Sequence, residues 1–238
     1  NIIMKYLTDF RPTLWSTIFA FIGLIFLFAL GTWQLDRLEW KNNLIFERQS
    51  HLNDDPILFN GDIKELNDTF WKPVEVKGVY MHDKELYLAA RSMRGNVGFH
   101  VLTPFRLSNG RNVLINRGWV PREKKDPISR IESKYTGSVK LIGIVTPGFK
   151  KGFFSPKNDL SKNVWLYVDY TEMSSAVGME LQKFVIDAKE NGKGGFPIGS
   201  QTRINMPNDH LQYAVTWYLL GLTLVFVWFF WNKNRLKS

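Results

Sequence analysis

The sequence predicts a membrane protein in which two transmembrane helices flank a mainly antiparallel β domain. That extramembrane domain is of the α+β kind, curled or barrel-like. Three observations predict this. Residues 12–35 carry no charged side chain, and residues 211–232 carry none either. As helices these runs span about 36 and 33 Å, enough for a hydrocarbon core of about 30 Å. Between them, runs of β-branched and aromatic residues recur, separated by turn residues. The 238 residues therefore divide into a tail (1–12), a first span (13–35), an extramembrane domain (36–209), a second span (210–231) and a basic tail (232–238).

The first span contains Ala29-Leu30-Gly31, which has the small-x-small form of a signal-peptidase site. The apolar run before it is longer than a signal-peptide core, so it reads as a retained span. Charge returns abruptly from Gln34 to Lys41 without a helix breaker, so the helix is expected to continue towards Gln49. The second span carries Tyr213 and Trp217 near its start and Trp228 and Trp231 at its end, as interfacial aromatic belts do. Two spans put both tails on one side. Lys5, Arg11, Lys233, Arg235 and Lys237 stand there, against Arg37, Lys41, Arg48 and Arg203 on the other side. The positive-inside rule then places the tails in the cytoplasm or mitochondrial matrix and the central domain outside.

Within the domain, Val74–Tyr80 alternates, Met81–Lys84 turns, and Glu85–Ala90 returns as the second arm of an expected hairpin. Phe99–Leu107, Ser108-Asn109-Gly110 and Asn112–Asn116 form a second hairpin signal. Val139–Val145, Val164–Val168 and Phe184–Ile186 are further strands, with a helix from Tyr170 to about Gly178. Lys189–Gln201, with four glycines, reads as a mobile loop.

Composition removes several chemistries. With no cysteine there is no disulfide, thiolate nucleophile, zinc-thiolate site or iron–sulfur cluster. His51, His82, His100 and His210 are too far apart in sequence to pair on a helix, so a metal centre made by this chain alone is not expected. The formal charge is +9, but the two tails hold five basic residues and one acid, which leaves +5 for the rest. No nucleic-acid-binding signature accompanies it, and attraction to anionic membrane lipid explains the charge more simply. Gly192-Lys193-Gly194-Gly195 lacks P-loop spacing and reads as a flexible loop, and the nucleophile motif G-x-S-x-G is absent. His82-Asp83 reads as an ordinary turn pair, and His100 as a hydrogen-bonded core residue ahead of a pocket residue.

The informative residues flank the spans. Trp33, Arg37, Trp40 and Lys41 share one face of the first helix. His210, Tyr213, Ala214 and Trp217 share one face of the second. Because the chain crosses once each way, both sets lie at the same membrane face. Interfacial preference alone accounts for many of these types, and His210 also suits a helix N-terminus. Ionisable residues at spans are nonetheless functional candidates.

These segments carry a resemblance. Gly31-x-Trp33-Gln34-x-x-Arg37-x-x-Trp40-Lys41, Asn116-Arg117-Gly118-Trp119-Val120-Pro121 and Asn208-Asp209-His210-Leu211-Gln212-Tyr213-Ala214-x-Thr216-Trp217 resemble the signature segments of the Surfeit-locus family. Phe99–Phe105 fits the same pattern, and the resemblance covers nearly the whole chain. It implies a non-enzymatic assembly factor for cytochrome c oxidase, binding haem a and helping it reach the catalytic subunit. It also implies other oxidase assembly factors as partners. His210 would be the axial ligand to the haem iron, with Tyr213 and Trp217 flanking the ring and Arg37 and Lys41 pairing with the propionates. A membrane-anchored scaffold that binds oxidase subunits without haem is the alternative. A first span reached within about a dozen residues suits a bacterial inner-membrane member, with the domain in the periplasm, better than a mitochondrial one. Trp119 is expected either in the core or as a partner anchor.

Overall fold

The computed structural model describes residues 12–62, 69–202 and 208–234. Lys5, Arg11, Arg203, Arg235 and Lys237, on which the expected orientation partly rests, lie outside the described residues. The chain forms two compact units, one from residues 1–47 and 205–238, the other from residues 48–204.

The first unit is a pair of long helices, α1 (Leu14–His51) and α3 (His210–Asn234), each long and apolar enough to cross a membrane. α1 runs past the charged stretch as expected. In α1 the less exposed positions recur every three to four residues through Ser16, Ala20, Gly23, Leu27, Gly31, Gln34, Leu38 and Lys41, the spacing of a helix-packing seam. Small residues let the backbones approach, since lipid supplies no hydrophobic drive between helices. A Cβ on Gly31 would lie 2.7 Å from the Tyr218 ring, and one on Gly221 3.2 Å from Phe28. Polar side chains close both ends of the pair. At one end Asn232, only 1% exposed, accepts from the Thr13 backbone N–H at 3.0 Å and from Ser16 Oγ at 3.2 Å. It thereby satisfies a backbone donor that the start of α1 cannot pair for itself.

The second unit is built on β2 (Pro73–Tyr80), β3 (Leu86–Met93), β4 (Asn96–Leu107), β5 (Asn112–Pro121), β6 (Val139–Thr146) and β8 (Val185–Ala188). Two short strands, β1 (Ile57–Leu58) and β7 (Val164–Trp165), extend it. The pairing order β2-β6-β8-β5-β4 closes on itself through a β2–β4 ladder, giving a five-stranded barrel. Only β5–β8 is parallel within it. β4 serves two partners on one edge, β3 over its first half and β2 at Phe105–Leu107. Pro104 sits at the change of partner, where its missing N–H breaks no ladder; its carbonyl accepts from Met81 N at 2.9 Å.

Strand alternation builds two cores. Val113 and Ile115 point into the barrel with Val74, Val76, Phe105, Phe184 and Ile186. Leu114 and Val185, on the other face of the same strands, pack with Leu88, Leu102, Trp165 and Met173 beneath α2 (Tyr170–Val177). α2 starts where Asp169 accepts from Thr171 N and Glu172 N, both at 3.0 Å, and stops at Gly178 in the left-handed region.

Three expectations need correction. β2 and β3 do not form a hairpin: β2 pairs with β6 and β4, and β3 with β4 and β7. The connector winds into a 3-10 turn at His82–Lys84 and buries Glu85, so the chain crosses away instead of folding back. The true β3–β4 hairpin turns at Arg94-Gly95, both with positive φ (47° and 84°), as a two-residue type I′ loop requires. Val164–Val168 shrinks to two strand residues, because Asn158 Oδ1 takes the Leu166 N–H at 2.9 Å in place of a ladder partner. Lys189–Gln201 is not a loose loop but is stitched down. Ile198 exchanges two 2.8 Å hydrogen bonds with Trp119, Ser200 N donates to Ala188 O, and Asn191 Oδ1 accepts from Gly199 N.

Candidate functional site

In the domain, Asn116–Pro121 forms the second half of β5, longer than the expected Asn112–Asn116 strand. Opposite it, β4 advances two residues from His100 to Leu102 while β5 advances three, so Arg117-Gly118 is a β-bulge. Gly118 adopts φ 115°, and a Cβ there would meet Ile198 O at 1.9 Å. The bulge aims Asn116 and Arg117 into two different buried networks.

Arg117 donates to Glu85 Oε1 at 2.9 Å and to Ser133 O. Arg130 donates to both carboxylate oxygens of Glu85, and Tyr87 OH donates to Oε2 at 3.2 Å. His82 completes the group. Its Nε2 accepts from Tyr135 N at 3.0 Å, and its Nδ1 lies 3.2 Å from Arg117 Nη1 and 3.7 Å from Glu85 Oε1. His82 is therefore part of a buried ionic cluster, not the ordinary turn residue expected. Burial pushes the Glu85 carboxyl up, but its hydrogen bonds from His82 and Arg130 and the charges of Arg130 and Arg117 bring it down to about 2.

Asn116 Nδ2 donates to Asp187 Oδ1 at 2.8 Å and to His100 Nδ1 at 3.2 Å, while its Oδ1 accepts from Gly118 N. His100, 2% exposed, is thus the hydrogen-bonded core residue expected. Thr202 Oγ1 donates to the other Asp187 oxygen at 3.0 Å. Burial raises the Asp187 carboxyl to about 6. Trp119 is 5% exposed and donates from Nε1 to Arg91 O at 3.0 Å, so it belongs to the core and is not a partner anchor. In both networks the polar groups are largely taken up by one another, and Arg117 also lines a small cavity with Tyr80, Tyr135 and Glu190.

The helix pair holds the other signature segments. His210 begins α3, and its Nδ1 lies 2.6 Å from Gln34 Oε1 on α1. A carboxamide oxygen only accepts, so Nδ1 donates, and in the neutral ring Nε2 keeps its lone pair. That is the tautomer of a metal-ligating imidazole, held by an outer hydrogen bond. One level further along the helix, Asn208 Nδ2 donates to Asn42 Oδ1 at 2.8 Å. Ala214 is buried against α1, Trp217 is half-buried beside that seam, and Tyr213 is 55% exposed on its flank. Arg37 follows Gln34 by about one turn and Lys41 by about two, near 5 and 10 Å along the axis. The Arg37 guanidinium lies 5.7 Å from the Trp33 ring and 5.4 Å from the Trp40 ring, both of which are exposed.

Sequence reasoning placed His210 beside aromatic and cationic residues but left out Gln34 as a site residue. It also missed Thr32 and Tyr218, whose hydroxyls meet at 3.2 Å, and the Asn232 clasp. The signal for Gln34 was its place in the first signature segment, one turn before Arg37. Among the described residues no three His, Asp or Glu side chains converge as metal ligands. At this end of the helix pair His210 offers one imidazole, with the cations Arg37 and Lys41 about one and two turns beyond Gln34 on α1.

The family model that matches the chain is that of the SURF1 family, over residues 21–222. The chain belongs to the SURF1 family. Surfeit locus protein 1 of Homo sapiens is 38% identical over 219 residues, covering 85% of this chain and 72% of the human protein. The Xenopus tropicalis protein is 37% identical, covering 84% and 70%, and the Takifugu rubripes protein 35%, covering 85% and 90%. The matched SURF1 region includes α1 from about its third turn, the whole barrel and the first half of α3.

Proposed function

We propose that this protein is a membrane-anchored assembly factor for cytochrome c oxidase that takes haem a at one end of its helix pair and passes it to the catalytic subunit. Membership of the SURF1 family supports the assembly role. The observation that carries the haem reading is His210 Nδ1 donating to Gln34, which leaves Nε2 as a donor atom for iron. Haem a supplies an iron with an open axial position, two propionates and a long isoprenoid tail. Gln34 fixes the imidazole's tautomer and orientation. Tyr213 and Trp217 offer faces to the macrocycle. Arg37, spread between Trp33 and Trp40, and Lys41 supply cations for the propionates, where partial exclusion of water strengthens charge-assisted hydrogen bonds. A single neutral imidazole with exposed flanks suits transient holding better than permanent capture.

In this reading the protein performs no catalysis of its own and acts as a chaperone of the respiratory chain. Its partners are the oxidase catalytic subunit, other oxidase assembly factors and membrane lipid. The tails lie in the cytoplasm or matrix of an inner membrane, with the barrel domain on the opposite side. The inner membrane in this reading is a bacterial one, with the mitochondrial inner membrane as the alternative. The test is the visible spectrum of the protein purified from cells that make haem a: a Soret band at near-stoichiometric haem a supports the reading. A haem-free protein that still co-purifies oxidase subunits supports the scaffold alternative.

A further inference from the structure

Between β6 and β7 the chain leaves the sheet in a loop with two firm roots. Phe149 O accepts from Val168 N at 2.7 Å, and the Phe149 ring packs on the core beneath α2. At the other root Asn158, 9% exposed, accepts from Leu166 N at 2.9 Å and donates to Glu172 Oε2 at 3.0 Å. Between them Gly152–Ser155 closes a four-residue turn: Ser155 N donates to Gly152 O at 3.1 Å, and Gly152 N donates to Ser155 Oγ at 2.9 Å. The two central residues are Phe153 and Phe154, 95% and 91% exposed, their rings in a T at 4.8 Å. A turn closed by two hydrogen bonds thus holds two of the largest apolar side chains in water. Lys150, Lys151 and Lys157 flank it, and no acid occurs between Glu132 and Asp159.

We propose that this turn is a membrane-docking tip: Phe153 and Phe154 enter the interface of an anionic bilayer, and Lys150, Lys151 and Lys157 bind its headgroups. Aromatic rings flanked by lysines are the composition of elements that lie in the headgroup boundary. The charge complements anionic lipid. An acidic protein offers the same charge, but the two spans hold the bilayer at high effective concentration to this domain at all times. The proposal rests on α1 and α3 crossing the bilayer, and is independent of the haem reading.

The chain has no cysteine, so Phe154→Cys gives one attachment point for a nitroxide. The full chain is reconstituted in vesicles of phosphatidylcholine with about a third phosphatidylglycerol, by analogy with anionic leaflets. Flotation after an alkaline wash first verifies the spans. Collision with oxygen and with a water-soluble nickel complex then reports depth by electron paramagnetic resonance. Expected is an oxygen-accessible, nickel-protected label. Replacing all three lysines by glutamate returns it to water, lowering the immersed-to-exposed ratio by at least about a hundredfold, at about fivefold per lysine. A floating protein whose label stays in water overturns the proposal. So does a label that is protected only when purified oxidase subunits are added, which would make the tip a protein contact. A protein that fails to float also overturns it, by removing the spans themselves.

Discussion

Glu85→Gln removes one negative charge from between two guanidiniums and changes almost no volume. Glu85, Arg117 and Arg130 have side chains only 2–3% exposed. Breaking a buried ion pair from one side costs about 3–5 kcal/mol, because the remaining charge is stranded. Linkage leads to a similar size: a folded value of about 2 against an ordinary 4.5 corresponds to about 3 kcal/mol. For a domain of this length each kcal/mol moves the melting temperature by roughly 2–4 °C, so the variant should melt about 6–20 °C lower at pH 7. The assay is near-ultraviolet circular dichroism of the detergent-solubilised full chain, which follows the packed tryptophans of the barrel. The acid limb provides a second check. A depressed carboxyl stabilises the fold above its unfolded value and loses that contribution as pH falls from about 4.5 through about 2. The wild type should weaken steeply over that window, and Glu85→Gln should lack that component. A melting temperature within about 2 °C of wild type at pH 7 would refute the account of the cluster.

Asp187 has the opposite sign. Its folded value is raised from 3.8 to about 6, so its contribution is present below 3.8 and lost as pH rises through 6. Asp187→Asn should flatten the stability profile between pH 4 and 6 and leave the melt at pH 7.5 unchanged or higher, as pH-dependent melting will show. Gly118→Ala sets a Cβ against Ile198 O in a left-handed conformation and should prevent accumulation of folded protein, read by membrane immunoblot. Trp119→Ala should cost about 3–5 kcal/mol and lower the same melt, as a core aromatic does. Gly31→Leu drives a side chain into Tyr218 and should separate the helices, lost cross-linking between cysteines placed on α1 and α3 being the readout.

Strand positions were legible because alternation survives burial on either face: Val74–Tyr80 and Val139–Val145 were read almost to their ends. Pairing was not. The Met81–Lys84 segment has turn composition, and only the burial of Glu85 among distant arginines sends the chain across instead of back. Arg94 is a poor signal for positive φ, so the true hairpin turn passed unnoticed. The glycines after Lys189 suggested freedom, yet Gly199 is there because a Cβ would lie 2.2 Å from Glu190 O. At the helix pair, residue types at the interface were legible from spacing along each helix. The contact of His210 with Gln34, 176 residues apart, was not, since no single-helix pattern encodes which turn of α1 meets α3.

The central claim is that His210 holds the iron of haem a, positioned by Gln34. The direct measurement compares the visible spectrum and haem content of wild type, His210→Ala and a histidine control, all purified from cells that make haem a. His51 is the suitable control, its side chain 38% exposed and paired locally with Asp54, whereas His82 is built into the Glu85 cluster. The account predicts that His210→Ala inserts and melts like wild type but loses its bound haem, while His51→Ala keeps it. Wild-type haem content and an unshifted Soret band in His210→Ala would contradict it.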